Sequence, residues 1–407
     1  MQLSRTLALS SAAVVALGIA IPPSQASAPA APVRTEPAAP TTAAIAAPTS
    51  VDARRAPNLR VRVVKRGLDI PWDITFLPNN AMLYTQRSRL SIRYRKPGGG
   101  DHVVRFSRSG MWSSGETGLM SILAARNFRR TRHFFTCHGA NSPRPSGHDI
   151  RVVMWKLNQN NRRAVRVKPL VRGLPASSGR HGGCRLRYGP EGALYVGTGD
   201  AARFRNPQSL KSGGGKVLRV SPKTGRGWPT NRWNHAQKPM KRRIYTYGHR
   251  NVQGLALRPG SGMWSVEHGP SISDEVNRLK RGGNYGWDPD GPVYDESVPM
   301  TDFSLPGKQI GARWKSGPTP ATSGAEWLRG DRWDVWQGTL AVACLEGSEL
   351  RIMKFRNGKF IRQWIPNRLN GNYGRLRTPV QGPGNALYIT TANGGGNDRI
   401  LKVTPRR

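Results

Sequence analysis

The segment Pro190-Glu191-Gly192-Ala193-Leu194-Tyr195-Val196 has a form that returns along the chain. It opens on a Pro/Gly turn and runs into an apolar residue, an aromatic and a β-branched residue. That is the pattern of a hairpin turn entering a buried strand. Close copies stand at Pro78-Asn79-Asn80-Ala81-Met82-Leu83-Tyr84, Pro259-Gly260-Ser261-Gly262-Met263-Trp264 and Pro383-Gly384-Asn385-Ala386-Leu387-Tyr388-Ile389. Two looser copies lie between them: Asn127-Phe128 leads to His133-Phe134-Phe135-Thr136, and Trp336-Gln337-Gly338 leads to Leu340-Ala341-Val342-Ala343. Six copies at a spacing of roughly 58 residues indicate a repeat architecture. Blades of four strands joined by long loops account for that length. The expectation is therefore an all-β, six-bladed β-propeller, with an array of β-sandwiches as the alternative. If the repeated strand is the one nearest the axis, its end meets a mouth shared by all blades. Gln86-Arg87, Gly199-Asp200, Glu267-His268 and Ala392-Asn393 are then candidates for one site.

The rest of the chain agrees with one large exported domain. Arg5, the apolar run Leu7 to Ile21 and the small residues Ala26-Ser27-Ala28 read as a cleaved signal peptide over residues 1–28. Residues 29–57 are rich in Ala, Pro and Thr, lack periodicity and read as a disordered linker. Residues 58–407 remain for the propeller, and the expected location is outside the cytoplasm. The net charge of +41 implies attraction to anionic surfaces such as cell-wall polymers or lipid headgroups. Arginine is spread along the whole sequence instead of clustering on one element, which argues against a nucleic-acid module. Three cysteines in an exported protein suit one disulfide and one free thiol. Cys137 and Cys184 are the favoured pair, because both lie in the same half of the chain and end strand-like segments. Cys344, inside Leu340-Ala341-Val342-Ala343-Cys344, reads as a buried, inert thiol.

Three segments carry residues suited to chemistry. Arg180-His181-Gly182-Gly183-Cys184 places a histidine between turn residues and a strand, and Asp200 ends the next repeated strand. If the two strands form a hairpin, the carboxylate meets the imidazole, as a proton-abstracting histidine requires. An ordinary hydrogen-bonded pair is the plainer reading. Tyr247-Gly248-His249-Arg250-Asn251-Val252-Gln253-Gly254 is dense in donors. Glu267-His268-Gly269-Pro270-Ser271-Ile272-Ser273-Asp274-Glu275 is rich in oxygen, as Ca²⁺ prefers, although an exposed acidic turn has the same composition.

These segments, together with Pro71-Trp72-Asp73-Ile74, Gly115-Glu116-Thr117-Gly118-Leu119, Asp274-Glu275-Val276-Asn277 and Gly283-Asn284-Tyr285-Gly286-Trp287, resemble the glucose/sorbosone dehydrogenase family. The likeness runs in order over about residues 60–405. It implies a six-bladed propeller that oxidises the anomeric CH–OH of an aldose with pyrroloquinoline quinone (PQQ) and Ca²⁺. By this resemblance His181 is the general base, Asp200 its orienting carboxylate and Arg250 the cation beside the reactive quinone oxygen. Glu116, Asn251, Thr319, Arg375 and Arg377 match cofactor contacts. The carbonyls of Gly269 and Pro270 match ligands of the catalytic Ca²⁺. Glu275 and the Tyr285 carbonyl match a second, structural Ca²⁺ site. Two positions depart from the pattern. Glu346 stands where many members carry Lys, and Arg180 stands where glucose-active members can carry an acidic residue. The implied partners are an aldose and an electron acceptor that the sequence does not identify. The competing function is a non-catalytic secreted propeller that binds anionic polymers or a protein at the cell surface.

Overall fold

The computed structural model describes residues 56–143, 147–289 and 291–406. The expected signal peptide and residues 29–55 of the expected linker lie outside the described residues. Ala56 and Pro57 have no regular structure. Among the described residues no helix is long and apolar enough to cross a membrane.

The described strands form six antiparallel sheets of four strands each. Blade 1 consists of Pro71–Phe76, Met82–Gln86, Ser91–Lys96 and Gly99–Val104, hydrogen-bonded in that order. Blades 2 to 5 repeat the arrangement, opening on Leu119–Ala124, Gly183–Tyr188, Val252–Arg258 and Thr322–Trp327. Blade 6 takes Leu376–Gln381, Leu387–Thr391 and Asp398–Pro405 from the end of the chain and its fourth strand, Leu59–Leu68, from the beginning. The register runs from Leu59 opposite Pro405 to Leu68 opposite Asp398, so the first and last strands close the ring. Closure leaves no blade without a neighbour, which protects the sheet faces.

The repeated turn-and-strand phrase marks the second strand of every blade, not the innermost one. Met82–Gln86, Leu194–Thr198, Leu340–Cys344 and Leu387–Thr391 are buried at every position. Adjacent blades cover both faces of these strands, so the apolar/polar alternation of a half-exposed sheet is absent. The first strands surround the axis instead, and their side chains meet there. The Thr378 hydroxyl donates to the Trp72 carbonyl (2.7 Å), and Arg185 Nε donates to the Gln253 carbonyl (2.8 Å). Arg185 Nη1 lies 3.0 Å from Asp73, which also binds Ser121 and Arg187. The axis of the ring is thus filled by polar side chains that bond one another and pair charge, although Arg185 Nη1 and Arg187 Nη2 make no hydrogen bond. Because each second strand runs antiparallel to the first, its end and the start of its neighbour still open on the same mouth.

Cys137 and Cys184 form a disulfide, with Cα atoms 5.6 Å apart. Neither ends a strand: Cys137 lies inside His133–Asn141 of blade 2, and Cys184 is the second residue of Gly183–Tyr188 in blade 3. The bridge joins two blades three residues beyond His181. Cys344 is free and buried, and burial raises its thiol pKa.

Candidate active site

The hairpin of blade 3 brings His181 and Asp200 together. Gly183 pairs with Thr198, so the residues flanking that pair face each other across the strand ends. The approach is close: a Cβ on Gly199 would lie 1.8 Å from the His181 carbonyl oxygen, so a side chain is excluded there. His181 itself has φ 51°, a left-handed conformation that a non-glycine residue holds at some cost. His181 Nδ1 lies 2.8 Å from Asp200 Oδ1. Asp200 is fully buried, and its Oδ2 accepts from Trp287 Nε1 (2.8 Å) and the Tyr294 hydroxyl (2.7 Å). The Ala202 amide donates to Oδ1 (2.8 Å). These donors hold the carboxylate in one orientation, and the carboxylate in turn holds the imidazole with Nε2 directed away from it. Burial and the Asp200 charge raise the Tyr294 pKa, so the phenol remains a donor.

The other residues meet at a cavity of about 340 Å³ lined by Glu116, His181, Arg250, Gly269, Pro270, Thr319, Glu346, Arg375 and Arg377. Arg87, Arg180, Gln253 and His268 also reach it. Its volume lies within the range of small-molecule sites. Asn251 Nδ2 donates to Glu116 (3.1 Å), and Asn251 Oδ1 accepts from the Gly183 amide (3.2 Å), so this side chain ties the blade 3 hairpin to the cavity wall. Burial pushes the Glu116 pKa up, but the neighbouring His181 and His268 and the Asn251 hydrogen bond outweigh it and hold the group below its ordinary value. Thr319 donates to Asp274 Oδ1 (2.5 Å), which also accepts from the Gly269 amide (2.8 Å). One buried carboxylate therefore positions both Thr319 and the Gly269-Pro270 turn.

The cavity is cationic and under-satisfied. Arg87, Arg250 and Arg377 each have a buried Nε without a hydrogen-bond partner. Burial and the adjacent guanidinium groups of Arg87 and Arg185 depress the Arg377 pKa well below the usual arginine value. Arg375 is exposed at the rim. Such a group of donors fits a polycarboxylate ligand, because a bound anion supplies the acceptors and charge that the protein lacks. Glu346 is exposed at the edge of the cavity, and among the described residues no ion pair joins it to Arg375 or Arg377. Solvent screens its repulsion of an anion.

The two Ca²⁺ positions implied by the resemblance differ. Among the described residues no hydrogen bond engages the carbonyl of Gly269 or Pro270, and both residues face the cavity, so this turn fits a hard cation shared with an anionic ligand. The Glu275 carboxylate, by contrast, is surrounded by donors: Thr301 Oγ1 (3.1 Å), Asn277 Nδ2 (3.1 Å) and Lys315 Nζ (3.3 Å). The Glu275 carboxylate is thus met by an ammonium and two neutral donors in addition to the repulsion of nearby Glu267. Among the described residues no hydrogen bond engages the Tyr285 carbonyl.

Three contributors escape sequence reading. Trp287 and Tyr294 bond Asp200, and Glu296 forms ion pairs with both Arg180 and Arg250. Tyr294 and Glu296 come from the long connection between Glu275–Arg278 and Trp314–Lys315 of blade 4. That stretch has no periodicity to mark which residues turn inward.

The model of the Glucose / Sorbosone dehydrogenase family matches residues 68–402. The chain belongs to the glucose/sorbosone dehydrogenase family. Membership places it among sugar oxidoreductases. It is 28% identical over 366 residues to the aldose sugar dehydrogenase YliI of Escherichia coli (strain K12), covering 86% of this chain and 93% of that protein. Among solved structures, the PQQ-bound aldose sugar dehydrogenase of Streptomyces coelicolor superposes with a TM-score of 0.71 at 26% identity, covering 86% of this chain and all of that one. The apo form of the soluble E. coli aldose sugar dehydrogenase gives a TM-score of 0.75 at 26% identity, with the same coverage.

Proposed function

We propose that the chain is a PQQ-dependent aldose dehydrogenase in which His181 is the general base. The observation that carries this reading is the His181–Asp200 pair opening on a cavity where Arg87, Arg250 and Arg377 each keep a buried Nε without an acceptor. With Nδ1 turned to Asp200, His181 Nε2 takes the proton of the anomeric hydroxyl. Asp200, fixed by Trp287 and Tyr294, keeps the ring in that tautomer and stabilises the imidazolium that forms. Arg250 supplies positive charge where an oxyanion develops. Arg377, Arg87 and Arg375 would pair the carboxylates of PQQ, and Thr319, Asn251 and Glu116 would complete its surroundings. When bound, PQQ supplies the hydride acceptor. The carbonyls of Gly269 and Pro270 would hold the Ca²⁺ that accompanies it.

The decisive experiment adds PQQ and Ca²⁺ to the purified chain and follows reduction of an artificial dye with several aldoses. Turnover is expected, and His181→Gln is expected to lower kcat by on the order of 10³-fold while thermal melting stays the same. No turnover with any aldose, and no change in PQQ absorbance on mixing, would sink the enzyme reading. It would leave the alternative, a non-catalytic propeller. Export through residues 1–28 is part of the same proposal. It is checked by the N-terminus of the mature protein, which should begin near residue 29.

A further inference from the structure

Beside the base, two arginines that line the cavity, Arg180 and Arg250, share a carboxylate that the chemistry above does not use. Glu296 pairs through Oε2 with Arg180, the residue before His181, and through Oε1 with Arg250. Two residues earlier on the same segment, the Tyr294 hydroxyl bonds Asp200 and lies 3.2 Å from His181 Nδ1. The Arg180 guanidinium also lies 5.7 Å from the Tyr294 ring centre, and that of Arg250 lies 5.7 Å from the Trp287 ring centre. One segment thus delivers a phenol to the dyad and a carboxylate to the two cations that flank it.

This placement has two chemical consequences. A carboxylate offers about four lone-pair directions, and the two guanidinium groups engage one oxygen each. The remaining lone pairs belong to a side chain that is 28% exposed, an anchored acceptor for hydroxyl donors next to two arginines of the cavity lining. Glu296 also balances charge that otherwise stands bare at the rim: Arg180 is 46% exposed, and buried Arg250 faces the cavity. A neutral polyol gains hydrogen bonds from such an acceptor, whereas a sugar that carries its own carboxylate meets like charge.

We propose that Glu296 is a specificity-determining residue that selects neutral aldoses over anionic sugars, with Arg180 and Arg250 holding its carboxylate in place. The proposal rests on the dehydrogenase reading for its substrate class. It is tested with the full chain, using glucose and glucuronate as probes that share a ring and differ in charge. For Glu296→Gln, kcat/KM for glucose is expected to fall about tenfold, mainly through KM. The glucuronate-to-glucose ratio is expected to rise by about tenfold or more. For Arg180→Gln, which leaves the carboxylate less balanced, the ratio is expected to fall. An unchanged ratio in Glu296→Gln, or a shift in the same direction in both variants, overturns the proposal. The ratio of equilibrium affinities of the two sugars for PQQ-free protein, read by tryptophan fluorescence, must rise in Glu296→Gln and fall in Arg180→Gln, and thermal melting confirms that each variant is folded. If the wild type oxidises no aldose but the affinity ratio still shifts in opposite directions in the two variants, the selectivity proposal stands and the dehydrogenase reading fails.

Discussion

Arg185 and Arg377 lie against the same tryptophan, with guanidinium carbons 4.0 and 5.6 Å from the Trp72 ring centre, and both are buried. Their partners differ. Arg185 donates to the Gln253 carbonyl and to Thr378 (2.9 Å) and pairs with Asp73. Burial lowers its pKa to about 9 even though Asp73 opposes the shift. Arg377 has one long hydrogen bond, to Gln253 Oε1 (3.3 Å), and an Nε with no partner. The first arginine belongs to the axis of the ring, where internal acceptors meet its charge. The second belongs to the cavity, where acceptors must arrive from outside. Arg185 Nη1 also makes no hydrogen bond, but it lies 3.0 Å from the Asp73 carboxylate, whereas among the described residues no carboxylate pairs with Arg377. Burial alone does not separate a structural cation from a binding one; an internal counter-charge does.

The comparison breaks if the two arginines respond alike to substitution. Arg185→Met is expected to destabilise the fold by about 3–5 kcal/mol in denaturant unfolding, because it leaves Asp73 and the blade carbonyls short of a partner. A loss below about 1 kcal/mol would mean that the axis network is dispensable. The disulfide sharpens the same point, since it holds the hairpin that carries His181. Its ends are 47 residues apart, and chain entropy then sets an upper limit of about 4 kcal/mol on its contribution. Cys137→Ser with Cys184→Ser is expected to lower stability by about 3 kcal/mol, within the range for native disulfides. Unchanged melting in the double variant would mean that blade packing alone fixes the hairpin.

Arg377→Gln should show the opposite profile. Its expected effect on unfolding is under about 1 kcal/mol, because the substitution removes a poorly satisfied buried charge. Its expected effect on PQQ binding is a rise in Kd of about thirtyfold, or about 2 kcal/mol, measured by absorbance titration. A large loss of stability with unchanged Kd would move Arg377 into the class of Arg185.

The same division explains what could be read from the sequence. The repeated phrase disclosed six blades because the second strand of each blade is covered on both faces and therefore reads as a compact apolar run. It misidentified the innermost strand for the same reason: Asp73, Ser121, Arg185 and Thr378 make the axial strands too polar to look like a core. Ring closure by Leu59–Leu68 left no local signal, because pairing across some 330 residues is a property of the ring. His181 and Asp200 were legible because a hairpin bounded by glycines brings its two ends together. Tyr294 and Glu296 were not, because an aperiodic connection carries them inward and nothing in its composition reports where it folds back.

Two histidines extend the contrast to a smaller effect. His181 has a buried carboxylate at 2.8 Å, whereas among the described residues His138 on blade 2 has only the Thr136 hydroxyl, at Nδ1 (2.9 Å), with Arg151 and Arg166 nearby. Burial, reinforced by those two arginines, lowers the His138 pKa to about 3. The folded protein therefore binds this proton less readily than the unfolded chain, whose histidine titrates near 6.5. Stability from this site is complete above about pH 6.5 and is lost as the pH falls towards 3, because the unfolded state takes up the proton first. Linkage gives a loss of about 1.4 kcal/mol between about pH 7.5 and about pH 5.5 from this residue. Unfolding free energies of the wild type and His138→Asn over that interval isolate it: the wild type should fall more steeply than the variant by that amount. Equal slopes would show that water or a carboxylate reaches His138 in solution, and that its burial does not keep it neutral.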